Sequence, residues 1–176
     1  MIESSDPLFL RINAKLKRLE AEINSAQTDL LFSKKDMTNR LLVRSVAYAV
    51  HNAYNGIEQI LEDVAQGVDG DKPVGGSMHS ALLDQMSQDT GLRPAIVSED
   101  DYPAYDDLRR FRHLFRHAYG VDLRADEIFN KFEIVRETIL PNLKAALLTL
   151  RDCLEKTMEE PDPASKDGHG DLTPKN

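Results

Sequence analysis

Ile12-Asn13-Ala14-Lys15-Leu16-Lys17-Arg18-Leu19-Glu20-Ala21-Glu22-Ile23-Asn24-Ser25-Ala26-Gln27-Thr28-Asp29-Leu30 decides the fold. Its apolar residues Ile12, Leu16, Leu19, Ile23, Ala26 and Leu30 step by 4, 3, 4, 3 and 4. Steps of three and four return side chains to one side of a 3.6-residue turn, so this stretch is one helix with one narrow apolar seam. It is expected over about 7–33, with Asp6 as cap and Pro7 at the first helical position, where its missing N–H is not needed. The pattern recurs in Leu42, Val46, Ala49, Val50, Ala53, Ile57, Ile60, Leu61 and Val64, the seam of a second helix over about 37–66. Asn55-Gly56 is a hairpin dipeptide, but its flanks keep the helical period and the helix is read through it. Gly56 then costs roughly 1 kcal/mol against alanine and points to a close approach by a neighbouring helix.

Gly67 to Gly76 holds four glycines and one proline. It lacks the Gly-Lys-Ser/Thr of a phosphate loop and the ligand pattern of a calcium loop, so it reads as a connector. A short third helix over about 78–90 carries Met78, Leu82, Leu83 and Met86, with Gly91 as its stop. Residues 93–97 read as extended. Ser98-Glu99-Asp100-Asp101 reads as a capping box, and Pro103 delays the fourth helix to about 102; it ends near 119, before Gly120. A fifth helix over about 124–157 places Phe132, Val135, Ile139, Leu143, Leu147, Leu150 and Leu154 on one seam, kinked or broken at Pro141. No segment alternates like a strand. The expectation is an all-α bundle of four to five helices over residues 1–157, with a disordered polar tail over 158–176.

The chain has 176 residues, enough for one domain, and its 41% hydrophobic and 30% charged content is that of a globular protein. Lys and Arg number 22 against 30 Asp and Glu, a net charge of −8. That argues against nucleic acid held by bulk charge and leaves room for a local basic patch. The single cysteine, Cys153, excludes an internal disulfide framework and a cysteine-rich zinc site, and reads as a small core residue. No run approaches 18 apolar residues, and the acidic start lacks a signal-peptide pattern, so a soluble cytoplasmic protein is the default expectation.

The chemistry concentrates in Arg109-Arg110-Phe111-Arg112-His113-Leu114-Phe115-Arg116-His117-Ala118-Tyr119, with four Arg and two His in the nine residues 109–117. Arg109 and Arg110 stand three to four residues after Asp106 and Asp107 and read as their ion-pair partners. On the helical wheel Leu108, Phe111, Phe115 and Ala118 form the apolar seam. Arg112, Arg116 and Tyr119 share one flank, and His113 and His117 lie away from the seam. Arg112 and His117 diverge by roughly 140° on a regular helix. They converge if the helix end unwinds near Gly120, or if two copies of the helix pack across a two-fold axis.

Arginine with histidine, without paired carboxylates, suits phosphodiester chemistry. Histidine moves protons near neutral pH, and arginine holds a phosphate and stabilises its transition state. RNA supplies its own nucleophile, the 2′-hydroxyl, so neither metal nor cofactor is required. His113 and His117 have metal-ligand spacing, but no Glu follows His113 and no third ligand is evident. Upstream, His51 and Tyr54 flank the second seam and read as structural hydrogen-bonding residues. Glu58 reads either as a solvated residue or as a partner fixing an arginine of the fourth helix.

Arg112-x4-His117-x-Tyr119 resembles the Arg-x4-His-x-Tyr motif of HepT-type toxins among the HEPN ribonucleases. The text around it resembles the same proteins: His51 through Leu61, Met78-His79 through Gln85-Met86, Arg93 through Ser98, and Leu108 through His113, in order over about residues 8–155. The resemblance implies a HEPN-type bundle and a homodimer whose two copies line one cleft. It also implies a metal-independent endoribonuclease toxin acting on RNA such as tRNA or mRNA. Arg112 would stabilise the phosphate, His117 would transfer protons, and His113 and Arg116 would support them. A minimal nucleotidyltransferase antitoxin (the MNT type) would neutralise the toxin by transferring AMP to Tyr119. His113 stands where many relatives place a polar amide, and the acidic tail looks like an addition. The competing reading is a non-catalytic helical module that docks such a nucleotidyltransferase or binds nucleotide or RNA.

Overall fold

The seams pair as the period requires. A computed structural model describes residues 1–117 and 124–159, apart from the side chains of His117, Met158 and Glu159. Helices α1 (Pro7–Phe32), α2 (Arg40–Val64), α3 (Met78–Met86), α4 (Tyr102–His117), α5 (Ala125–Ile134) and α6 (Leu140–Glu159) account for the fold, and the described residues contain no strand. No helix among them is long and apolar enough to cross a membrane. Asp6 caps α1 by accepting from the Leu8 N–H at 2.7 Å, with Pro7 next, as the sequence indicates. All six residues of the quoted seam are buried. Lys34 and Lys35, both left-handed (φ 50° and 54°), turn the chain back, and α1 lies along α2. α2 is the central element and also packs against α3, α4 and α5.

Several element ends differ from expectation, each for a hydrogen-bonding reason. α2 starts at Arg40 rather than 37 because the Asn39 side chain caps it, accepting from Leu41 and Leu42. Beyond Val64 the helix widens into a π turn, Ala65–Asp69, closed by left-handed Gly70 (φ 75°). Residues 67–69 are therefore helical, not loop. α3 stops at Met86, short of 90, because the Met86 carbonyl accepts from the Ile96 and Val97 N–H groups instead of from its own next turn. The extended connector after it hides a charge: the Arg93 side chain is fully buried. Its Nε and Nη2 fork onto Asp69 at 2.7 and 2.8 Å, and it also donates to the carbonyls of Gln85, Gln88 and Pro94.

Ser98 caps the approach to α4, accepting from the Asp101 N–H at 3.1 Å, and α4 starts at Tyr102 as expected. Pro141 does not break the last helix. A π turn over Val135–Ile139, with Leu140 N–H on the Val135 carbonyl, joins α5 to α6 as one rod. Proline lacks an N–H and crowds the carbonyl four residues back; winding the preceding turn one residue wider accommodates it. Phe132, Val135, Ile139, Leu143, Leu147 and Leu150 of that rod are buried. Cys153 is half-buried at the edge of the core rather than inside it. A Cβ on Gly56 would meet Leu19 Cδ1 at 3.8 Å, an ordinary contact, so α1 passes nearby without requiring glycine there. The tail from 160 onward lies outside the described residues.

Candidate functional site

The site forms where a polar stripe on α2 meets α3 and α4. His51, Asn55 and Glu58 are four and three residues apart, so they lie along one side of α2, beside its apolar seam. Glu58 is buried, 5% exposed, and a buried carboxylate must find donors. It finds two. His79, on the first turn of α3, approaches Glu58 Oε1 with Nδ1 at 2.6 Å. Arg112 of α4 brings Nη2 to 3.4 Å from Glu58 Oε2.

Arg112 also donates from Nε to Asn55 Oδ1 at 2.6 Å and from Nη1 to His79 Nε2 at 3.2 Å. These contacts fix the tautomer. A carboxylate only accepts, so His79 carries its proton on Nδ1 and leaves Nε2 as an acceptor for Arg112. Two of the five N–H donors of the guanidinium make hydrogen bonds here, and Nη2 faces Glu58 as an ion pair. Asn55 passes the chain on, donating from Nδ2 to His51 Nε2 at 3.0 Å. The His51 ring packs 5.0 Å from Phe115, which packs 5.7 Å from Phe111. Its buried Nδ1 has no hydrogen-bond partner among the described residues. Burial, then the charges of Arg112 and Arg116, hold the His51 pKa below the usual histidine value. Burial, reinforced by Glu58, raises the Tyr54 phenol far above its ordinary range, so it stays protonated.

A pocket of about 420 Å³ opens beside this network. His79 and Ser80 line it from α3, and Arg109, Arg112, His113 and Arg116 line it from α4. Three arginines and two histidines on one concave wall make an anion site in a chain of net charge −8. Among the described residues, no cluster of three His, Cys, Asp or Glu is placed to hold a metal ion.

Of the residues singled out from sequence, Arg112, His113 and Arg116 share this pocket wall. His113 was placed on a different side of the wheel from the two arginines, and the curve of the pocket gathers all three. His117 is the last residue of α4, its side chain outside the description, and Tyr119 lies outside the described residues. Arg109 and Arg110 pair with Asp106, at 2.6 and 2.5 Å, in line with the ion-pair reading. Asp107 instead reaches Lys131 of α5. Of its two readings, Glu58 takes the second, as the partner of a fourth-helix arginine. Sequence reasoning missed His79 and Asn55 as members of the site. The four-three spacing of His51, Asn55 and Glu58 was a usable signal for Asn55; His79 was marked only as the start of a segment that resembles the family.

A family model described as HepT-like protein matches residues 45–154, which runs from the second turn of α2 through most of α6 and includes every residue of the network. Comparison with curated proteins and with solved structures finds no match.

Proposed function

We infer the function from this premise: the chain belongs to the HepT-like protein family. The reading it supports best is a toxin-like endoribonuclease of the HEPN type that cleaves RNA without a metal or cofactor. Arg112 holds the scissile phosphate and stabilises its added charge. The 2′-hydroxyl of the RNA attacks the phosphorus, and His117 takes part in proton transfer. His113 and Arg116 contribute positive charge and donors along the same wall. The protein works as a homodimer in the cytoplasm, its two α4 helices supplying one composite cleft, which answers the divergence of Arg112 and His117 on a single helix. A nucleotidyltransferase antitoxin silences it by transferring AMP to Tyr119. The adduct sets an anionic phosphodiester near Arg112 and excludes substrate by charge and volume.

The observation that carries this reading is Arg112 set in the wall of a basic pocket with His113 and Arg116, its guanidinium aligned by Asn55, Glu58 and His79. The test is cleavage of a mixed transfer-RNA pool in EDTA by full-length wild type, Arg112→Ala and His117→Ala. Wild type forms product and each variant is slower by about 100-fold or more. Equal rates in all three would sink the reading.

One observation favours a second reading, a non-catalytic module that docks a nucleotidyltransferase or holds RNA. Within a single protomer the Arg112 charge is already met by Glu58 at 3.4 Å. This reading gains if unmodified wild type, verified by intact mass, binds RNA in a salt-sensitive way and yields no product.

A further inference from the structure

The pocket contains a second proton-carrying arrangement that the Arg-x4-His motif does not include. His79 is gripped at Nδ1 by a buried carboxylate and presents Nε2 towards the arginine wall. Its side chain is 32% exposed, against 7% for Glu58 and 14% for Arg112, so of the three it is the one most open to a ligand. A base oriented by a carboxylate on its far nitrogen is the arrangement by which imidazoles are prepared for proton transfer. The carboxylate fixes the ring and stabilises the imidazolium that forms.

We propose that His79, oriented by Glu58, is a catalytic residue of the RNA cleavage and takes the 2′-hydroxyl proton on Nε2. The assignment rests on the ribonuclease reading and adds a residue to it. In the resting protein an Arg112 N–H covers Nε2 at 3.2 Å. When the arginine turns its donors to the phosphate, the lone pair is released beside the sugar it must deprotonate. The bond from the 2′-oxygen to phosphorus then forms while the bond from phosphorus to the 5′-oxygen breaks. The 2′ proton passes to His79, and the leaving 5′-oxygen takes a proton from the other histidine, His117. The products are a 2′,3′-cyclic phosphate and a 5′-hydroxyl, with no oxidant, reductant or metal involved.

The charges around the ring are few. Glu58 faces it from α2. Arg112 touches it from α4, and Arg109, His113 and Arg116 of α4 line the same pocket. In the 65–69 turn Asp69 is committed to Arg93.

Full-length wild type, Arg112→Ala, His79→Gln and Glu58→Gln are compared on mixed transfer RNA in EDTA, from about pH 5 to about pH 9. Glutamine keeps an acceptor for Arg112 but takes up no proton in this pH range. His79→Gln loses about 100-fold or more in kcat/KM, and the acid limb of its pH profile disappears. Glu58→Gln lowers kcat/KM, because the ring loses the carboxylate that orients it. Thermal unfolding checks the fold, and if His79→Gln is unfolded, His79→Asn, which keeps a donor for Glu58, replaces it. A variant within about threefold of wild type with its acid limb unchanged overturns the proposal. So does a slow variant that keeps the acid limb, since His79 then only holds Arg112 in place. Cleavage that depends on Arg112 but not on His79 removes this assignment alone. No wild-type product, or product indifferent to Arg112→Ala, removes the ribonuclease reading and this assignment with it.

Discussion

His51 keeps its proton on Nδ1, because Asn55 Nδ2 donates to the other ring nitrogen, and that Nδ1 is buried without an acceptor among the described residues. A second proton would put a charge in a buried place, next to Arg112 and Arg116, and the folded pKa is accordingly depressed from 6.5. The unfolded chain therefore binds protons more readily than the folded one. Stability is fully present above the unfolded value and declines as pH falls below about 6.5 towards the lower folded value. His51→Gln should flatten that decline: between neutral and mildly acidic pH its unfolding midpoint falls less than that of wild type. An equal fall in both would place the acid sensitivity elsewhere. Arg93 is a starker case. Arg93→Ala leaves the Asp69 carboxylate, 11% exposed, without its fork, and is expected to cost about 3–5 kcal/mol in urea denaturation. No reading of Arg93-Pro94-Ala95 in sequence reveals this, since an arginine in a connector is ordinarily solvated. Only Asp69, 24 residues earlier, makes it a buried staple.

Among the elements, the seams and the starts of α1 and α4 were legible, and several other ends were not. Ile12 to Leu30 on α1 and Phe132 to Leu150 on the last rod read correctly because burial repeats with the helical period. The ends of α2 and α3 and the turn before Pro141 depend on hydrogen bonds such as Ile96 to Met86, which no local window contains. Gly56 in a helical seam points to a close approach by a neighbouring helix, and Leu19 does approach, but at ordinary contact distance for a methyl group. Gly56→Ala should therefore stabilise the protein by about 0.5–1 kcal/mol through helix propensity alone, seen as a raised unfolding midpoint. A lowered midpoint would mean that α1 is held closer than the 3.8 Å contact indicates. The candidate site divides in the same way. Arg112, His113 and Arg116 were legible because they crowd one short helix in an acidic chain. Asn55 and His79 gain their meaning only when α2, α3 and α4 meet.

At the scale of the molecule, the proposed homodimer calls for an apolar surface near the site. Tyr48 and Leu114, 56% and 52% exposed, sit on α2 and α4 close in sequence to the His51–Phe115 contact. Tyr48→Glu with Leu114→Glu should halve the mass seen by light scattering and reduce cleavage, while the helical content stays unchanged. An unaltered mass would move the contact between copies to another face.

The Arg112 network also has a direction along the chain. Asn55, Glu58 and His79 all precede the arginine they receive. During synthesis, where the N-terminal part leaves the ribosome first, the acceptors are in place before their cation arrives. A nascent or prematurely terminated chain ending before α4 thus carries these three partners of Arg112 without the arginine itself. Under the ribonuclease reading, a cell translating this message is exposed to the nuclease only after most of the protein has been made. Every shorter fragment that lacks α4 is harmless to the RNA around it.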